Sequence, residues 1–108
     1  MKIIIKNYEF EVDEANSFKK RFWGLIGKKE IKKGLFFPNT GSIHTFFMKE
    51  NIDIIMLDKK MKIILIKKAF PKNKILINLK AKYTIELPQN SIKEIMINDL
   101  VTIKTIPN

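Results

Sequence analysis

The run from Ser42 to Asp58, SIHTFFMKENIDIIMLD, leaves few folds open. In its first half Ile43 and Phe47 alternate with Phe46 and Met48, and in its second half only Asp53 interrupts the apolar residues from Ile52 to Leu57. Strand side chains alternate between faces, so a strand apolar on both sets must be covered on both. Lys49-Glu50-Asn51 suits a connecting loop, and the run is expected to form a β-hairpin. One face would lie on an opposing sheet; the other would lie under a helix or under a second copy of the chain, making residues 42–58 a homodimer contact.

The remaining elements follow from period and punctuation. Lys2 to Ile5 and Tyr8 to Val12 read as short strands joined at Lys6-Asn7, the second alternating Tyr8, Phe10 and Val12 with Glu9 and Glu11. Asp13 is a candidate N-cap, and Phe18, Phe22, Leu25 and Ile26 fall three and four apart, predicting one short helix that stops at Gly27. Gly34 to Phe37, Met61 to Ile66, Lys74 to Leu79, Lys82 to Leu87 and Leu100 to Ile106 are further strand runs, and Ser91 to Met96 suits one helical turn. The whole predicts a mainly β fold, an antiparallel sandwich or flattened barrel of about eight strands with one short α-helix near the N-terminus. The 108 residues suit a single domain, 1–108, able to bury one core without staples.

Composition removes several chemistries. With no cysteine there is no disulfide, thiolate metal site or thiol nucleophile. Residues 1–10 hold only three consecutive Ile before Lys6, too few for a signal-peptide core or a membrane span, so a cytoplasmic protein without membrane contact is expected. A formal charge of +10 raises nucleic-acid binding, but only Arg21 among the 21 basic residues is arginine. The lysines fall in scattered pairs such as Lys28-Lys29 and Lys59-Lys60, a pattern of solvated turns and strand edges that disfavours a nucleic-acid partner. The four glycines fit no phosphate loop or dinucleotide pattern, and one histidine without a second ligand at fixed spacing fits no metal signature, so neither a cofactor nor a metal is expected.

The candidate chemistry lies where polar residues interrupt apolar strands. Alternation puts His44, Phe46 and Met48 on one face of the expected hairpin. If Met48 stands opposite Asp53, then His44 and Asp53 share a face; if it stands opposite Ile52, His44 faces Met56. In the first register His44, Thr45 and Asp53 would line a pocket, with Arg21 and Glu86 converging on it, and a carboxylate would fix the imidazole tautomer for binding or proton transfer. The simpler alternative is a histidine bonded to backbone alone. Glu86, between Ile85 and Leu87, needs solvent or a cation partner.

Several motifs resemble the domain of unknown function 192 family of bacteria and archaea. They are Arg21-x-x-Gly24-Leu25-Ile26, Gly34-Leu35-Phe36-Phe37, Ser42 to Met48 with Ile52 to Asp58, AKYTIELP at Ala81 to Pro88, and Asn98-Asp99-Leu100. The resemblance implies a compact β-sandwich-like domain with a short helix and brings no established reaction. It nominates Arg21, Gly24, His44, Thr45, Met48, Asp53, Glu86 and Asp99. Asn90 and Asn98 stand where the family pattern has glycine, and asparagine tolerates the left-handed backbone those turns require. The expectation is a small ligand- or partner-binding β-domain with a pocket edged by Arg21, His44 and Asp53. The alternatives are an enzyme using His44 with Asp53 or Glu86, and a lysine-rich nucleic-acid surface.

Overall fold

The computed structural model describes residues 1–15, 33–46 and 48–105. These form nine strands: β1 (Lys2–Ile5), β2 (Tyr8–Glu14), β3 (Gly34–Pro38), β4 (Ser42–His44), β5 (Ile52–Leu57), β6 (Ile63–Phe70), β7 (Ile75–Ile77), β8 (Tyr83–Pro88) and β9 (Thr102–Lys104). Seven make one sheet in the order β6-β5-β8-β3-β2-β1-β9, while β4 and β7 form a separate two-stranded sheet.

The large sheet is curled, and short segments beside its edge strands meet. Lys62 and Leu100 form an antiparallel bridge. Around it Ile63 N–H donates to the Asp99 carbonyl at 2.9 Å, Asn98 N–H to Ile63 at 2.8 Å and Val101 N–H to Met61 at 2.9 Å. The result is a half-barrel drawn together along a seam. Its concave interior collects Ile3, Ile5, Val12, Phe36, Ile55, Leu57, Ile63, Ile85 and Leu87. The alternate residues Leu35, Phe37, Ile52, Ile54 and Met56 point to the other face, where Ile43, Met48, Ala81 and Leu76 from in and around the small sheet cover them. All six residues of β5 are buried, so the need for cover on both faces is met there within one chain.

Three expectations are corrected. First, Ser42 to Leu57 is not a hairpin: β4 pairs with β7, through Ser42↔Ile77 and His44↔Ile75, while β5 lies between β6 and β8. The chain is drawn away from β5 at Thr45, whose N–H donates to the Lys74 carbonyl at 2.8 Å and whose carbonyl accepts from Asn73 at 2.9 Å. Second, the sheet is not wholly antiparallel, because β2 and β3 run parallel. A parallel pair needs a long crossover, and the residues from 15 to 33 supply the length. Third, Asp13 and Glu14 belong to β2 rather than to a helix start, and Ser91 to Met96 forms bends and no helical turn. The rest of the expected helix lies outside the described residues, among which no helix occurs. No helix there is long and apolar enough to cross a membrane.

Candidate functional site

Asp53 is buried, and its carboxylate is consumed by backbone. Oδ1 accepts from Ala69 N–H at 2.8 Å, and Oδ2 accepts from Ser91 N–H at 2.9 Å and Ile92 N–H at 3.1 Å. The register shifts here: Ile52 pairs with Phe70 and Ile54 with Lys67, so β6 bulges opposite Asp53, with Ala69 in the left-handed region at φ 51°. Asp53 thus holds a bulge on one neighbour and the turn after β8, on the concave side with Ile55 and Leu57.

His44 stands elsewhere. On β4 its neighbour Ile43 packs toward the large sheet, so His44 lies on the outward face of the small sheet beside the exposed Ile75. Its ring stacks on Phe46 at 5.2 Å, and Nδ1 accepts from Phe46 N–H at 3.3 Å. Thr45 is a structural clamp: Oγ1 donates to the Pro71 carbonyl at 2.8 Å and accepts from Lys74 N–H at 2.9 Å. Met48 is buried in the layer between the two sheets. Arg21, with Gly24, lies outside the described residues.

Glu86 occupies that same layer. It pairs with Leu35 on β3 and Ile54 on β5, both facing the small sheet. Three of the expected site groups therefore lie in three different places: Asp53 inside the half-barrel, Glu86 beneath the small sheet, and His44 on its far side. Among the described residues, His44 is thus brought together with neither Asp53 nor Glu86.

What sets Glu86 apart is its lack of partners. Thr40, Thr45, Asp53 and Thr84 are buried and each is hydrogen-bonded, Thr84 Oγ1 donating to the Thr40 carbonyl at 2.8 Å, for example. The Glu86 carboxyl, on a residue 5% exposed, has no hydrogen-bond or ion-pair partner among the described residues. Desolvation pushes it up to about 8, so the carboxyl is mainly neutral at pH 7. No fully enclosed side-chain oxygen or nitrogen lacks a partner among the described residues, so the accessible trace of Glu86 includes its carboxyl.

A second concentration of polar groups lies where two turns meet at one end of the large sheet. Asp58, Lys59, Lys60, Lys62, Lys80 and Lys82 line a recess of about 370 Å³. Asp58 Oδ1 accepts from Lys60 N–H at 2.8 Å and Lys62 N–H at 3.0 Å, and these backbone bonds, that from Lys62 foremost, hold its carboxyl below the usual range. Lysine pairs had the look of ordinary solvated turns in sequence; only the pairing of β5 with β8 brings Lys59-Lys60 beside Lys80 and Lys82.

The left-handed turns expected from asparagine are present: Asn90 has φ 70° and Asn98 φ 79°. Beside the latter, Asp99 Oδ2 accepts from Met96 N–H at 2.8 Å and pairs with Lys6 Nζ at 3.2 Å; the Met96 bond chiefly lowers its carboxyl below the usual range.

The same arrangement of motifs is matched over residues 1–104 by the model of the DUF192 family, described as Uncharacterized ACR. The chain belongs to the DUF192 family. Within it, a UPF0127 protein of Pyrococcus horikoshii is 35% identical over 88 residues, covering 77% of this chain and 76% of that protein. A UPF0127 protein of Thermococcus sibiricus is 38% identical over 80 residues, 68% of this chain. The matched part of the chain spans only about half of that longer relative, 52%. In fold, the DUF192 chain is similar to a crystal structure of a protein of unknown function from Novosphingobium aromaticivorans, with a TM-score of 0.80 over 95% of this chain and 84% of that one at 15% identity.

Proposed function

We propose that the protein is a binding domain that takes a small, mainly apolar molecule into the layer between the large and the small sheet, with the Glu86 carboxyl as polar anchor. The observation that supports this is the contrast among buried polar side chains: four are bonded within the protein and Glu86 is not. Leaving a buried polar group unpaired costs about 1–3 kcal/mol, which a larger apolar residue at this position would avoid. A neutral carboxyl offers one O–H donor and a carbonyl acceptor, so it matches a ligand amide or carboxyl that supplies both missing bonds. Met48 in the same layer gives a pliable apolar wall. Proton transfer by His44 with Asp53 or Glu86 gains no support from a fold that keeps these groups apart.

Ligand-observed NMR with small aliphatic amides and carboxylic acids tests this reading, with melting curves of the wild type and Glu86→Met alongside. The expected result is a set of mutually competing ligands whose affinity drops about tenfold or more in the variant, while the variant itself melts higher. Equal binding to both proteins, or a Glu86→Met protein that melts lower, would overturn it.

A further inference from the structure

We infer that the recess between the Asp58–Lys62 and Asn78–Lys82 turns is a second binding site, specific for a compact polyanion of the condensed-phosphate type. Five lysines and one aspartate line it, a formal charge of +4 around about 370 Å³. The three described ion pairs, Lys2–Glu9, Lys6–Asp99 and Lys33–Asp13, use other lysines, so among the described residues no carboxylate stands within ion-pair distance of the five ammonium groups. Asp58 offsets only part of this charge: its carboxylate feels the ammonium groups of Lys62 and Lys60 but makes no ion pair with them, and its Oδ1 is taken by the N–H groups of Lys60 and Lys62.

The walls are built rather than incidental. On one side Asp58 closes its turn, its N–H donating to the Lys62 carbonyl at 3.0 Å, and Met61 is held in the left-handed region at φ 64°. On the other, Asn78 Oδ1 accepts from Lys80 N–H at 3.0 Å and the Asn78 carbonyl accepts from Ala81 at 3.1 Å. Lys82 N–H donates to the Leu57 carbonyl at 2.7 Å and stitches the two turns together. Gly41 seats the second turn so closely that a Cβ there would lie 2.5 Å from the Asn78 carbonyl oxygen and 2.9 Å from that of Ala81.

The chemistry of the lining selects the ligand class. Ammonium groups on flexible stems gather phosphate oxygens from several directions, whereas no arginine fork is present for planar bidentate recognition. No aromatic ring lines the recess, so a base has nothing to stack on, which separates it from single-strand nucleic-acid grooves. The volume falls in the range of small-ligand pockets, about 300–1,000 Å³, rather than that of a track along a polymer. This site is independent of Glu86, and either reading can fail alone.

The test is calorimetric titration of the whole chain with sodium tripolyphosphate at low and moderate salt. It compares the wild type, Lys60→Glu/Lys82→Glu and the equally charge-altered Lys67→Glu/Lys72→Glu, whose exposed positions lie outside the recess. The expected result is one-to-one binding that weakens with salt, falls about tenfold or more in the recess variant and changes little in the other. Circular dichroism melting checks folding, and Lys60→Gln/Lys82→Gln serves if the charge reversals do not fold. Equal losses in both variants would reduce the effect to net charge and overturn the site, as would absent binding. A single-stranded oligonucleotide that outcompetes tripolyphosphate on the wild type would replace the proposed ligand with nucleic acid.

Discussion

Glu86 and Asp53 are both acidic residues buried on central strands, and their oxygens meet different surroundings. Asp53 accepts three backbone hydrogen bonds, whereas Glu86 meets apolar neighbours and keeps its proton. For Glu86 the folded value is raised from 4.5 to about 8, so between these pH values the folded state holds a proton that the unfolded state has lost. Stability then falls as pH rises through that window, by on the order of 4–5 kcal/mol across all of it, and the contribution is fully kept below the unfolded value. Urea unfolding across this window should show the decline in the wild type and a flatter profile in Glu86→Met; parallel profiles would contradict the raised value. Asp58 and Asp99 act in the other sense and lower on the scale, since their folded values are depressed and their contribution is lost as pH falls through them.

Among elements, the junction of β5, β6 and the turn after β8 depends on one side chain. Asp53→Asn keeps the shape but replaces one acceptor oxygen by an amide donor aimed at backbone N–H groups. The expected loss is about 2–4 kcal/mol, read as a lower urea midpoint, and a wild-type midpoint would show that Asp53 does not hold the junction. This junction also marks where the sequence stops being legible. Runs such as Lys2 to Ile5 and Ile52 to Leu57 show their strands directly, because apolar density and β-branched residues are local signals. Which strand pairs with which is not local: Lys49-Glu50-Asn51 reads as a hairpin loop, yet Thr45 commits its bonds to residues 71–74 and sends β4 to β7. Lys67-Lys68, read among the solvated turns and strand edges, lies on the edge strand β6, where the Asp53 carboxylate holds a bulge that no local signal shows. Glu86 was recognisable in advance as a carboxylate awkwardly placed within a strand, whereas the lysine recess was not, since its members come from turns about twenty residues apart.

At the scale of the molecule, the architecture is similar to that of a protein only 15% identical in sequence. The chain carries a formal charge of +10, and at the recess five lysines converge on one cavity. The seam has its own bearing on how the molecule is made. Residues 98–101 bridge to the start of β6, and β9 immediately after them pairs with β1, so a stretch of seven residues ties one rim of the sheet to the start of the other. During synthesis a nascent chain that has already laid down β1 to β8 still presents two unpaired rims to its neighbours, a template for association between chains. A chain ended after Ile97 should therefore scatter light as aggregates at concentrations where the full chain stays clear, and a clear solution would mean that the rims are protected by something other than this stretch. Formation of β9 and of the bridge before it is, on this view, the moment at which the protein becomes safe in a crowded solution.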